Sequence, residues 1–159
     1  MKPVIVLDTT YFLPIVGIKV KSDFFLALEK NEIFVDLRDI YLSEITLFEL
    51  QAKATKLSVP PERVAEGIDA IREAFNIIPF YEPEIIKISF KLRRILSDYI
   101  DCVILATAIS REYILLTEDS DIQSNKQAIS REISNKKVEI LNLNNLKLRH
   151  KTIKTEETL

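Results

Sequence analysis

Short apolar runs alternate with longer segments of helical periodicity along most of the chain. The runs that predict strands occupy residues 3–7, 40–43, 77–80, 113–117 and 138–143. Uninterrupted apolar runs of this length are typical of strands buried on both faces of a parallel sheet. Right-handed crossovers between such strands place the intervening helices on both faces of the sheet. The pattern therefore predicts one α/β domain built on a parallel sheet.

The segments between these strands carry apolar residues at helical spacing. The stripe between residues 45 and 57 leaves Glu49 on a different face of its helix. Pro14 and Gly17 follow the first strand, so we expect the first helix to be delayed until Ser22, whose hydroxyl would cap it. The predicted helices cover residues 23–30, 45–57, 61–75, 84–96, 102–111 and 124–134.

Length and composition exclude several classes of protein. The 159 residues, of which 47% are hydrophobic, suffice for one domain with a substantial core. The apolar runs are far shorter than the roughly 20 residues of a membrane span, so we expect a soluble, cytoplasmic protein. One cysteine, Cys102, and one histidine, His150, cannot form a zinc site, and two glycines cannot supply a phosphate-binding loop.

The distribution of charge is more informative than the net charge of −2. Lys87, Lys91 and Arg94 form a basic ridge on the helix predicted after residue 84, which is either a solvated face or a phosphate-binding surface. Basic residues also outnumber acids from Lys126 to the region of Glu156. Residues 147–159 have little apolar pattern, and we expect a mobile basic tail after a domain of residues 1–146.

Four acids, Asp8, Glu49, Asp101 and Asp119, lie where predicted strands or helices begin or end. Because the carboxyl ends of parallel strands line one crevice, acids at these boundaries would lie together. Two unit charges ~4 Å apart repel by about 4 kcal/mol at an effective dielectric of ~20, so the cluster requires protons or cations. Hard oxygen ligands favour Mg²⁺ or Mn²⁺.

Each acid alone has a structural explanation. Asp101 could cap the helix that it would open, and Glu49 could be an acid on a helix surface. Asp119 and Asp121 could form a turn after a strand. Asp8 is the hardest to explain in this way, because a charge that closes a buried strand needs a partner or a cation.

The order of these motifs resembles the PIN-domain ribonuclease family, which includes toxins of the VapC type. The similar segments are residues 7–10, 43–50, 101–108 and 116–121. The resemblance implies a three-layer α/β/α sandwich with a central parallel sheet, and an acidic tetrad of Asp8, Glu49, Asp101 and Asp119. It also implies Asp121 as an auxiliary metal ligand and Thr9 and Thr117 as auxiliary hydroxyls. Glu44 competes with Glu49 as the second acid, because it ends the second strand.

The expected activity is therefore hydrolysis of RNA phosphodiester bonds by a metal-dependent endoribonuclease. Asp8, Asp101 and Asp119, with Asp121, would hold one or two Mg²⁺ or Mn²⁺ ions, and Glu49 would bind metal or orient the attacking water. The basic ridge would bind the RNA backbone. The expected partners are RNA, an antitoxin protein if the chain is a toxin, and a second copy in a homodimer, without a membrane.

Two other functions are consistent with the same residues. A catalytically silent protein of the PIN fold could bind RNA or protein and retain the acids for that purpose. Phosphoryl transfer through an aspartyl-phosphate would use the same layered architecture. The segment Asp8-Thr9-Thr10 lacks the second aspartate that this chemistry requires two residues after the first.

Overall fold

The computed structural model describes residues 2–159, which contain one sheet of five parallel strands in the order β3-β2-β1-β4-β5. The registers pair the strands directly, with Leu7 opposite Leu116 and Leu116 opposite Leu141. The predicted parallel sheet is confirmed. The strands are β1 (Ile5–Leu7), β2 (Ile40–Ser43), β3 (Asn76–Ile78), β4 (Ile114–Leu116) and β5 (Glu139–Leu141).

Helices cover both faces of the sheet and confirm the predicted α/β/α sandwich. A 3₁₀ helix, Thr9–Val16, follows β1 directly and contains Pro14. The α-helices are α1 (Phe24–Glu29), α2 (Ile45–Lys56), α3 (Pro61–Ala74), α4 (Pro83–Leu92), α5 (Tyr99–Arg111), α6 (Ser120–Ser124), α7 (Lys126–Glu132) and α8 (Leu143–Thr158).

Two hydrophobic cores lie on opposite faces of the sheet, because successive side chains of a strand point to opposite sides. Ile5 and Leu7 enter the core formed with the 3₁₀ helix and with helices α1, α2, α3 and α8. Val6 enters the other core, formed with α4, α5, α6 and α7. Cys102 is fully buried in this second core. Within residues 2–159, no helix combines the length and the apolar character needed to cross a membrane.

Several predicted boundaries were wrong for local reasons. Asp23, and not Ser22, caps α1, since its carboxylate accepts a hydrogen bond from the backbone N–H of Leu26. Asp98 caps α5 in the same way, so the helix starts at Tyr99 and Asp101 lies inside its first turn. The helix predicted over residues 124–134 corresponds to the shorter α7, and a separate helix, α6, precedes it and ends at Ser124.

Helices α4 and α8 differ from the sequence-based expectation as well. Helix α4 ends at Leu92, so Arg94 of the predicted basic ridge lies beyond the helix. Helix α8 spans the boundary that was predicted at residue 146 and continues to Thr158, so residues 147–158 are helical, and the mobility expected for this tail stays a prediction. Reciprocal hydrogen bonds between Asn142 and Asn145 form a capping box at its start, which the apolar pattern could not reveal.

Asp8 lies at the end of the sheet where the carboxyl ends of the parallel strands are found. Helices α4 and α5 are antiparallel, since the ring of Phe90 contacts that of Tyr99 at one end and Glu82 pairs with Arg111 at the other. Tyr99 and Asp101 lie in the same turn of α5, so the C-terminal end of α4 is the end nearer Asp101. Helix α8 runs back toward the start of the sheet.

Candidate active site

Asp8 directly follows β1 and is almost fully buried. Its Oδ1 accepts a hydrogen bond from the backbone N–H of Thr9 at 2.7 Å, and its Oδ2 accepts one from Thr117 Oγ1 at 2.6 Å. The pKa of Asp8 is raised to about 6, and burial is the largest cause. The two hydrogen bonds lower the pKa because they favour the charged form, and the negative charge of Glu49 raises it. The carboxylate is therefore held in place by two donors and is easily neutralised.

Thr117 and Thr9 connect Asp8 to the elements that carry the other acids. Thr117 Oγ1 accepts a hydrogen bond from the backbone N–H of Asp119 at 3.0 Å, and Oδ1 of Asp119 caps α6 through Ile122 at 2.9 Å. Thr9 Oγ1 lies 3.1 Å from the hydroxyl of Thr46, on the helix that carries Glu49. Both threonines are fully buried, as is typical of structural hydroxyls with satisfied hydrogen bonds.

Asp101 lies within electrostatic range of the three other predicted acids. Burial and, in decreasing order of size, the negative charges of Asp8, Asp119, Asp98 and Glu49 together raise its pKa to about 8. A carboxyl group on which four other acids act in this way favours a proton or a cation. The structure therefore brings together residues that are separated by more than 100 positions in the sequence.

Two charged residues at this site were missed from the sequence. Asp98 caps α5 and acts on Asp101 through its charge. Lys53 supplies a positive charge that lowers the pKa of Asp8, against the larger effect of burial. The only signal for Lys53 was its spacing of four residues from Glu49, which places both on one side of α2. Glu49, and not Glu44, is among the charges that act on Asp8 and Asp101.

The other predicted site residues are exposed. Asp121 lies in the first turn of α6, where its main-chain oxygen accepts a hydrogen bond from Asn125 Nδ2 at 2.7 Å. Arg94 donates to Glu132 at 3.2 Å. Lys87 and Lys91 line a groove of about 200 Å³ between α4 and the end of α7. No ion pair within residues 2–159 involves Lys87 or Lys91, so both cations are available to a ligand.

The donor set fits a hard divalent cation in its chemistry. Asp8, Glu49, Asp101 and Asp119 offer only oxygen ligands, which Mg²⁺ and Mn²⁺ prefer. In the part of the chain that the structure describes, no three His, Cys, Asp or Glu side chains lie close enough together to hold one metal ion between them. Since Mg²⁺ keeps several water ligands and is bound through one or two carboxylates, a spaced set is compatible with it.

Replacing Thr117 by Val is expected to destabilise the protein by about 1–3 kcal/mol, because Asp8 and the amide of Asp119 both lose a buried partner. Urea unfolding at neutral pH would measure the loss. Thr117→Ser keeps the hydroxyl and is the matched control, with a smaller loss expected. Equal losses in the two variants would contradict a role for the hydroxyl.

Comparison with known proteins identifies one family. The model of the PIN domain matches residues 5–127, a range that contains all four acids. No curated protein matches the chain.

Several solved structures have a similar fold. VapBC2 from Rickettsia felis, bound to a DNA fragment from its promoter, is 21% identical with a TM-score of 0.60, over 87% of this chain and 97% of that one. FitAcB from Neisseria gonorrhoeae is 22% identical with a TM-score of 0.59, over 87% and 97%. VapBC-5 from Mycobacterium tuberculosis, a member of the VapBC family of toxin–antitoxin systems, is 21% identical with a TM-score of 0.56, over 88% and 99%. At these identities the similarity shows the fold alone.

Proposed function

The chain belongs to the PIN domain family, and on that premise we propose that it is a metal-dependent endoribonuclease acting on RNA phosphodiester bonds. The observation that carries the proposal is the raised pKa of Asp101, caused by burial and by the charges of four neighbouring acids. Such a cluster is costly unless cations neutralise it, and perturbed pKa values of this kind concentrate at functional sites.

Each acid has a distinct part in the proposed reaction. Asp8, Asp101 and Asp119 would hold one or two Mg²⁺ or Mn²⁺ ions. Asp121, in the first turn of the helix that Asp119 caps, would bind an ion through a water molecule. When bound, such an ion polarises a phosphoryl oxygen and lowers the pKa of a bound water. Glu49 would orient the attacking water or complete the ligand set.

The surrounding residues keep this arrangement ready before RNA binds. Thr117 and the backbone of Thr9 hold both oxygens of Asp8, so the carboxylate needs no reorientation. Lys53 provides a positive charge near Asp8, which would attract the scissile phosphate. The site therefore combines a group of acids with the positive charge of Lys53, which acts on Asp8.

Cleavage of a pool of single-stranded RNAs tests the proposal directly. The purified protein is incubated with Mg²⁺, with Mn²⁺ or with EDTA, and products are resolved by length. Cleavage that requires the metal and stops in EDTA supports a nuclease. RNA binding without cleavage in any metal would contradict it and would favour a binding module of the same fold.

The path of the RNA is proposed to cross the exposed lysines of α4. Lys91 lies near the end of α4 that approaches Asp101, and Lys87 lies one helical turn, about 6 Å, further away. Cations near a nuclease site neutralise RNA phosphates and give binding a steep dependence on salt. Arg94 is already engaged by Glu132 and is the weaker candidate of the predicted ridge.

Replacing both Lys87 and Lys91 by Glu is expected to weaken binding of a short single-stranded RNA about 10-fold at low salt and to reduce the salt slope by about 1.4. Fluorescence anisotropy across a salt series would measure both effects. The matched control replaces Lys151 and Lys154, two exposed lysines of α8.

The control lysines lie toward the amino ends of the strands, whereas the acids lie near their carboxyl ends. Arg149, two residues before Lys151 in α8, forms an ion pair with Glu139 at the start of β5, with 2.7 Å between its guanidinium nitrogen and the carboxylate oxygen. The later part of α8, which carries the control lysines, therefore lies away from Asp8 and Asp101. Equal weakening by the α4 pair and by the α8 pair would contradict a specific path over α4.

An inhibitory protein is the proposed partner, since similar folds are solved as toxin–antitoxin complexes. A cationic side chain from that partner, such as an arginine, would satisfy the excess negative charge of the acid crevice. The expected homodimer also stays a prediction. Ile86, Phe90 and Tyr99 are large exposed side chains on α4 and α5 that such an interface would cover.

A further inference from the structure

Glu118 lies between two residues of the site, Thr117 and Asp119, and connects three distant segments. Its Oε2 accepts hydrogen bonds from the hydroxyl of Tyr11 and from the backbone N–H of Leu143, the latter at 2.9 Å. Its Oε1 accepts one from Ser22 Oγ at 2.9 Å. The side chain thus binds the 3₁₀ helix, the segment before α1 and the start of α8 at once.

The contact with Tyr11 is the one that bears on the site. Tyr11 is fully buried, and a buried hydroxyl requires a partner. It lies in the 3₁₀ helix that begins at Thr9, immediately after Asp8. Two side-chain cross-links therefore join the end of β1 to the end of β4, in addition to the backbone hydrogen bond from the N–H of Asp8 to the carbonyl of Leu116 at 3.0 Å: Thr117 binds Asp8, and Glu118 binds Tyr11.

We propose that Glu118 is a positioning residue that fixes Asp119 relative to Asp8 across the metal site. This inference rests on the proposed function. The backbone of Thr117 is already held by Leu141, and its hydroxyl is held by Asp8. The cross-link from the adjacent Glu118 to Tyr11 adds a side-chain restraint on the separation of Asp8, which follows β1, and Asp119, which begins α6.

The carboxylate acts through its accepting oxygens, and Gln can reproduce them. In Glu118→Gln, the amide oxygen would accept from Tyr11 and Leu143 while the amide nitrogen would donate to Ser22 Oγ. Glu118→Ala removes all three contacts. Glu82→Ala is the matched control, since it deletes a carboxylate with two hydrogen bonds to Arg111 at the far end of α5.

Three measurements on the full chain test the inference. Electron paramagnetic resonance measures the Kd for Mn²⁺, steady-state kinetics separates kcat from KM for RNA, and amide hydrogen exchange of the metal-free protein reports on the Asp119 N–H. For Glu118→Ala we expect a 10–100-fold weaker Mn²⁺ affinity, the range typical of lost contacts that orient metal ligands. We also expect a lower kcat with little change in KM, and faster exchange at Asp119.

Glu118→Gln is expected to restore all three values to within about 3-fold of the wild type, and Glu82→Ala to leave Mn²⁺ binding unchanged. Unchanged Mn²⁺ affinity in a folded Glu118→Ala, or a Gln variant as impaired as Ala, would overturn the inference. If the wild type neither binds Mn²⁺ nor cleaves RNA, the proposed function fails. In that case the exchange rate at Asp119 still decides, and an unchanged rate in Glu118→Ala refutes the positioning role.

Discussion

Replacing Asp101 by Asn is expected to reduce RNA cleavage at least ~100-fold in kcat/KM. The substitution keeps the shape of the side chain but removes the negative charge of one proposed metal ligand. Metal ions contribute several kcal/mol to the stabilisation of charge in a phosphoryl transition state, and each 1.36 kcal/mol corresponds to a tenfold rate change. The measurement is initial-rate cleavage of single-stranded RNA in saturating Mg²⁺ or Mn²⁺.

Asp69→Asn is the matched control, because Asp69 is an exposed acid on α3 with only a distant pairing to Arg72 at 3.8 Å. We expect its activity to remain within about twofold of the wild type. Wild-type and Asp101→Asn proteins that cleave equally would indicate a contaminating ribonuclease and would remove the site assignment. Circular dichroism before each assay confirms that the variant is folded.

The same substitution is expected to stabilise the metal-free protein at alkaline pH. The pKa of Asp101 rises from 3.8 to about 8 on folding, mainly through burial and then through Asp8 and Asp119. A raised carboxyl pKa contributes stability that is fully present below the unfolded value and is lost as the pH rises through the folded value. Asn stays neutral at every pH and avoids that loss.

The advantage of Asn over Asp at position 101 should therefore grow between about pH 4 and pH 9. We expect it to reach about 1–3 kcal/mol, a figure reduced for solvent screening because the Asp101 side chain is only partly buried. Urea unfolding in EDTA at about pH 5 and about pH 9 measures the difference. A wild type that is more stable than Asp101→Asn at the higher pH would contradict the prediction.

Added Mg²⁺ should reverse the order of stability. An ion that binds only the folded state stabilises it by mass action, so the wild type gains stability with metal concentration. Asp101→Asn should gain less because it has lost a ligand. A site that concentrates like charges is expected to lower stability when metal is absent and to support activity when metal is bound.

Local sequence was sufficient for the sheet and for most helices. The apolar run at residues 3–7 identified β1, and the helical stripe at 45–57 identified α2. Both patterns can be recognised from neighbouring residues alone. Caps were less predictable. Ser22 and Asp23 are both good caps, and only the backbone conformation decides which one accepts the hydrogen bond.

The sequence by itself determined the parallel sheet and the four acids near its element boundaries, since buried strands and helical stripes follow from local pattern. Only the tertiary structure decided that the charges of Asp8, Asp119, Asp98 and Glu49 act on Asp101, because a pKa depends on burial and on charges contributed by other elements. It likewise decided that Glu118 binds Tyr11, 107 residues away, and that the basic residues of α8 lie at the far edge of the sheet. Such contacts form between segments whose spacing carries no local signal.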